Sequence, residues 1–158
     1  MREPENGQRV YRATLDTNIF VRVLLQEGNL ANRLLSLWRE GRFVLVLSQA
    51  IVAEVQKVLS RSSLRQQFRS QTASVLINLL MQKAAFVEVP FSYKLCRDVK
   101  DNRFVDCAIF GRVQFLVSYD NDLIADPELR QALFEHGVET VHPLAFLERI
   151  QGGRNQQI

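Results

Sequence analysis

Short continuous apolar runs along this chain alternate with stretches in which apolar residues recur every three or four positions. That is the pattern of strands alternating with helices. Tyr11 to Asp16 reads as a strand; Ile19, Phe20, Val23 and Leu24 then fall at helical spacing, and a second helix is predicted from about Leu30 to Glu40, punctuated by Gly41. FVLVLS, Phe43 to Ser48, is apolar without alternation, as expected of a strand covered on both faces. Ser48 is placed to cap a helix carrying Ile51, Val55, Val58 and Leu59. RSSLR interrupts that helix, a longer one runs to about Lys83, and AFVEV before Pro90 reads as a third strand. Beyond a polar connection come a helix from about Asp101 to Arg112, a strand QFLVS, a helix from Asp126 to His136 and a short strand GVETV. The last helix, PLAFLERI, has Pro143 in its first turn. The pattern predicts one α/β domain over residues 11–151, with a flexible tail at 1–10 and a disordered one at 152–158.

Composition narrows this modestly. At 158 residues and 47% hydrophobic, the chain has the size of one domain with a substantial core. Its 20 basic and 17 acidic residues give +3, too slight an excess to identify a partner. No apolar run approaches the ~20 residues that span a bilayer, and Met1 to Val10 lacks the apolar core of a signal peptide. The expectation is a cytoplasmic protein with no membrane association. Cys96 and Cys107 lie in apolar patterns without the paired spacing of a zinc site, and read as small core residues.

The chemistry lies in the carboxylates. In open parallel sheets the functional crevice forms at the carboxyl ends of the strands, and two acids stand there: Asp16 in LDTN, and Asp120 in SYDND, with Asp122 two residues later. Glu54 borders the apolar stripe of its helix, and Asp101 has Phe104 and Val105 three and four residues on. Singly, each has an ordinary explanation as a cap, turn or helix-edge residue. Together, four acids from four segments at one end of one sheet repel unless a cation neutralises them. Oxygen ligands without nearby His or Cys then suggest Mg²⁺ or Mn²⁺.

LDTN, SQAIVAEVQKVLSR, DNRFVDCAI and LVSYDNDL, in this order and spacing, resemble the PIN-domain nucleases, most of all those that are toxins of bacterial toxin–antitoxin systems. The resemblance extends from about Arg12 to Ile150. It implies a three-layer fold with a central parallel five-stranded sheet between helices, and an acidic pocket in which Mg²⁺ or Mn²⁺ supports hydrolysis of RNA. By the same resemblance Asp16, Glu54, Asp101 and Asp120 are the catalytic, metal-holding set, with Thr17, Asn18 and Ser118 as supporting polar neighbours. RNA, a cognate antitoxin and a second copy of the chain are the implied partners, and Trp38, Leu64 and Phe68 are candidates for the dimer contact. Asp106 and Asp122 are second-tier ligands. Ser118 counts back sixteen residues to Asn102, beside Asp101, and about 140° of helix rotation separates Asp106 from Asp101. Asp101 is therefore expected to face the metal and Asp106 to act from behind it.

Other chemistries fit less well. A haloacid-dehalogenase-type phosphotransferase needs Asp-x-Asp where this chain has Asp-Thr-Asn, and the third strand, ending EVPFSYK, lacks the features of a response-regulator receiver. A Ser or Cys nucleophile needs a partnered His. His136 and His142, both late in the chain, read as cap or surface residues. The rival from another class is a PIN-like fold kept as an RNA-binding or protein-interaction module without catalysis; it predicts loss of acids that are here intact. With four acids engaged, the remaining ones are well outnumbered by the 20 basic residues, a surplus suited to holding a polyanion. Lys57, Arg61, Arg65 and Arg69 are the candidate run for it, although a solvated face explains them equally.

Overall fold

The computed structural model describes residues 10–25 and 29–155. The expected tail at 1–10 therefore lies almost wholly outside the described residues, as do residues 156–158. Five strands, β1 (Tyr11–Leu15), β2 (Phe43–Leu47), β3 (Ala85–Phe86), β4 (Phe115–Val117) and β5 (Glu139–Val141), form one sheet in the order β3-β2-β1-β4-β5. All four pairings are parallel. The chain moves outward from β1 through β2 to β3, then returns to the other side of β1 as β4. The strand order reverses between β1 and β4, the place where an α/β sheet opens a crevice at its carboxyl ends.

The helices are α1 (Thr17–Leu25), α2 (Asn29–Arg39), α3 (Gln49–Leu59), α4 (Ser62–Arg65), α5 (Ser70–Lys83), α6 (Asn102–Phe110), α7 (Asn121–Ile124), α8 (Pro127–Glu135) and α9 (Pro143–Asn155), with a 3-10 turn at Val99–Asp101 before α6. Ala13, Leu45 and Phe115 share a register and one sheet face; there Phe146 of α9 meets the rings of Phe43 and Phe115 at 5.0 and 5.5 Å. Thr14, Val46 and Leu116 face the other way, toward α6. The Thr14 hydroxyl donates to the Val46 carbonyl at 3.0 Å and lies beside the Cys107 thiol. Helix α6 seats closely because it ends on Gly111: a Cβ there would lie 2.5 Å from Val46 Cγ1 and 2.7 Å from the Cys107 carbonyl. Arg12 donates twice to the Gly111 carbonyl, at 3.1 and 2.9 Å, closing the end of that helix.

Three sequence expectations need correction. The third strand stops after Phe86, with Val87 N–H still bonded to the Leu47 carbonyl, because residues 88–98 leave the sheet to run over α6. Helix α9 continues through Gly152 to Asn155, past the expected boundary at 151, since these glycines take no left-handed stop conformation; among the described residues the positive-φ glycines are Gly41 and Gly137. Trp38, expected at an exposed contact, is a core residue, while Leu64 and Phe68 are half-buried. Large apolar side chains that do stand exposed include Phe91, Val99 and Phe134. Among the described residues no helix is long and apolar enough to cross a membrane.

Candidate active site

Asp16 follows the last residue of β1 and is buried. Its N–H donates to the Val117 carbonyl of β4 at 3.0 Å, so the sheet ladder itself joins the two strand ends. Its carboxylate accepts the Ser118 hydroxyl at 2.7 Å and the backbone N–H groups of Thr17 and Asn18. Burial nevertheless pushes the Asp16 pKa above its ordinary value, and the Asp120 charge adds to the rise against those hydrogen bonds. Ser118 also accepts the Asp120 N–H at 2.9 Å, so one fully buried hydroxyl ties both strand-end acids together. Asp120 in turn accepts the Asp122 N–H at 2.9 Å and opens α7.

Asp101 occupies the cap position of α6, yet its side chain makes no capping bond. Burial, followed by the charges of Asp98, Asp120, Asp16 and Asp122, pushes its pKa up to about 6. Those interactions gather Asp16, Asp101, Asp120 and Asp122 into one negative field. Asp98 belongs to it as well, although the sequence reading passed over it; its carboxylate takes the Lys100 N–H at 3.0 Å, and its place three residues before Asp101 was the available signal. Asp98, Asp101, Asp122 and Asp126 line a cavity of about 390 Å³. Arg97 reaches Asp126 there at 3.7 Å on a largely exposed side chain. No salt bridge among the described residues involves Asp16, Asp101 or Asp120.

The other candidates have partners of their own. Glu54 accepts from Arg103 Nη1 at 2.7 Å, a partly buried ion pair between α3 and α6. Asp106 is buried and accepts the Tyr93 N–H at 3.0 Å, holding the 88–98 segment to α6. At the rim, Tyr119 stands between Ser118 and Asp120, with the Arg22 guanidinium 3.8 Å above its ring and His142 edge-on at 5.1 Å. His142 Nδ1 accepts the Leu144 N–H, and His136 ends α8 against Tyr93.

The donor set suits a hard divalent ion: carboxylate and hydroxyl oxygens, and no imidazole among the acids. Next to Asp16, the Thr17 hydroxyl is buried with no protein partner. Among the described residues no group of three or more His, Cys, Asp or Glu side chains is gathered closely enough to cage an ion alone. Mg²⁺ ordinarily keeps several waters and binds through one or two carboxylates, and the carboxylates of Asp16 and Asp120, joined through Ser118, supply donors of that kind. Thiol chemistry is disfavoured. Burial, then the charges of Asp101 and Asp106, pushes the Cys96 pKa up to about 12, and burial takes Cys107 to about 11.

A crevice at the reversal of strand order, lined by carboxylates at the ends of β1 and β4, is the arrangement expected of a PIN-domain nuclease. The PIN domain family model matches residues 12–122, and the chain belongs to that family. It is 24% identical over 115 residues to the uncharacterized protein MJ1680 of Methanocaldococcus jannaschii, covering 72% of this chain and 74% of that one. Its fold is similar to that of VapBC2 from Rickettsia felis, solved bound to a DNA fragment from their promoter. That match has a TM-score of 0.55 at 15% identity, over 83% of this chain and 98% of the other. A weaker match, TM-score 0.49 at 14% identity, is to the PIN domain of T. brucei RRP44, over 93% and 86% of the two chains.

Proposed function

We propose that this chain is a metal-dependent ribonuclease, the toxin component of a toxin–antitoxin pair, in which Asp16, Asp101 and Asp120 hold Mg²⁺ or Mn²⁺. The observation that carries the proposal is that the carboxylates of Asp16 and Asp120, tied through the Ser118 hydroxyl, stand with Asp101 in one negative field, and no salt bridge among the described residues relieves any of the three. A fold bears such repulsion where a function uses it. A bound ion would lower the pKa of a coordinated water and neutralise charge at the phosphodiester. The chain's own part is positional. Ser118 fixes the spacing of Asp16 and Asp120, the Thr17 and Asn18 N–H groups orient Asp16, and Asp101 closes the crevice from the start of α6. RNA as substrate follows from the motif resemblance; an antitoxin as partner follows from it too and is supported by the fold shared with the VapBC2 chain.

Incubating the purified protein with pooled RNA in Mn²⁺, in Mg²⁺ and in EDTA tests this directly. Fragments are expected with either ion and none in EDTA. Cleavage undiminished in EDTA, or absent under every condition, would reject the proposal.

A further inference from the structure

Beside α6 and next to the acidic cavity, a groove of about 750 Å³ is lined by Lys94, Arg103 and Asp106 together with the apolar side chains of Ala53, Val89 and Val99. Cys96 lines both, so the groove and the acidic cavity are neighbours. Arg103 is held rigidly here. Its Nε donates to the Lys100 carbonyl at 2.9 Å and its Nη1 to Glu54 at 2.7 Å, which leaves three of the five guanidinium N–H groups uncommitted. Its side chain keeps 28% of its accessible surface.

Lys94 reaches the same groove in an unusual way. Its φ is +54°, a left-handed conformation that strains a residue with a Cβ. Two bonds on either side impose it: the Tyr93 N–H on Asp106 and the Cys96 N–H on Asn102, both at 3.0 Å. Two buried side chains of α6 thus hold the segment in a strained shape that carries an exposed ammonium beside Arg103. No salt bridge among the described residues engages Lys94.

We propose that this groove is a phosphate track for the single strand of nucleic acid entering the acidic crevice, with Arg103 and Lys94 as its phosphate contacts and Glu54 as the positioning residue that anchors Arg103. The inference rests on the nuclease reading. A polyanion approaching several uncompensated carboxylates needs cations held beside them, and a guanidinium pre-ordered by a carboxylate loses little entropy on binding phosphate. The strain at Lys94 is kept because the charge is useful at that point.

Anisotropy of a labelled 12-nucleotide single-stranded RNA in EDTA reads binding apart from cleavage. Arg103→Ala and Lys94→Ala are each expected to weaken it about tenfold at low salt, a charge-assisted contact apiece, and to lower the log–log salt slope by about 0.7. Lys94→Gly should weaken binding equally while raising the melting temperature by about 1–3 °C, since glycine relieves the backbone strain. Glu54→Ala removes a negative charge, so simple electrostatics predicts tighter binding; loss of the anchor predicts binding several-fold weaker. Unchanged affinity and slope in the Lys94→Ala/Arg103→Ala double variant, or no RNA binding by the unaltered protein, would overturn the track. A Lys94→Gly protein that is more stable but binds normally would do so too. Competition by oligoglutamate equal to that by unlabelled RNA would assign the groove to an acidic polypeptide instead. A protein that binds as expected yet cuts nothing would leave the track standing and remove the nuclease reading.

Discussion

Asp16 and Glu54 are both carboxylates set against the apolar core, and from the sequence they belong to one constellation. Their surroundings differ in the point that matters. Asp16 faces Asp120 and Asp101, with only hydroxyl and amide donors to hold it. Glu54 faces a guanidinium at 2.7 Å. The first arrangement has no counter-charge within the described residues. The second has one, and removing either partner leaves the other charge partly buried and unpaired. Acids that look equivalent in a motif are sorted by what the fold places opposite them.

The largest expected effect separates these two acids. Asp16→Asn should reduce cleavage by about a thousandfold or more, the loss of a principal cation ligand, with an unchanged far-ultraviolet dichroism spectrum. Glu54→Gln keeps a hydrogen-bond acceptor for Arg103 and should cost several-fold. Equal losses in single-turnover assays would erase the contrast.

The next comparison lies within α6. Asp101→Asn is expected to lower cleavage by about a hundredfold or more, Asp106→Asn by far less, measured across a Mn²⁺ titration. Asp106→Ala, which leaves the Tyr93 N–H without its acceptor, should instead destabilise the fold by about 1–3 kcal/mol in denaturant titrations. A larger cleavage loss for Asp106→Asn than for Asp101→Asn would reverse these roles.

Smaller shifts are thermal. Millimolar Mg²⁺ or Mn²⁺ should raise the melting temperature by a few degrees through mass action, and Asp16→Asn should abolish the rise; an unresponsive unaltered protein would argue against the ion site. The acid crevice also fixes a sign for pH. Because the folded Asp101 titrates near 6, above its ordinary 3.8, its contribution to stability is fully present below about pH 4 and lost as pH rises through about 6. The metal-free protein should therefore melt higher at pH 5 than at pH 7, and Asp101→Asn should flatten that dependence.

Much of this was legible in the sequence where burial on both faces or a helical repeat left a strong pattern. FVLVL could hardly be anything but an inner strand, and Ser48 does cap α3, accepting the Ile51 N–H. Asp16 and Asp120 could be singled out because they follow strands. What escaped notice depended on distant partners. The Glu54 to Arg103 pair joins residues 49 positions apart, and no periodicity brings them together. Lys94 is not a residue type that announces a positive φ; Asp106 and Asn102 impose it from α6. Helix α7 is only four residues long, too short to leave a repeat.

The bond from the Asp16 N–H to the Val117 carbonyl has a consequence for how the molecule breathes. That amide belongs to the central pair of strands, so Asp16 cannot separate from Ser118 without unzipping the sheet. In hydrogen exchange it should rank among the amides released only by global unfolding. The Tyr93 and Cys96 amides are held outside the sheet by two side-chain acceptors, Asp106 and Asn102, and should exchange through local opening. The acidic crevice is then as durable as the protein itself, while the groove beside it can loosen and reform within the native state without disturbing the carboxylates.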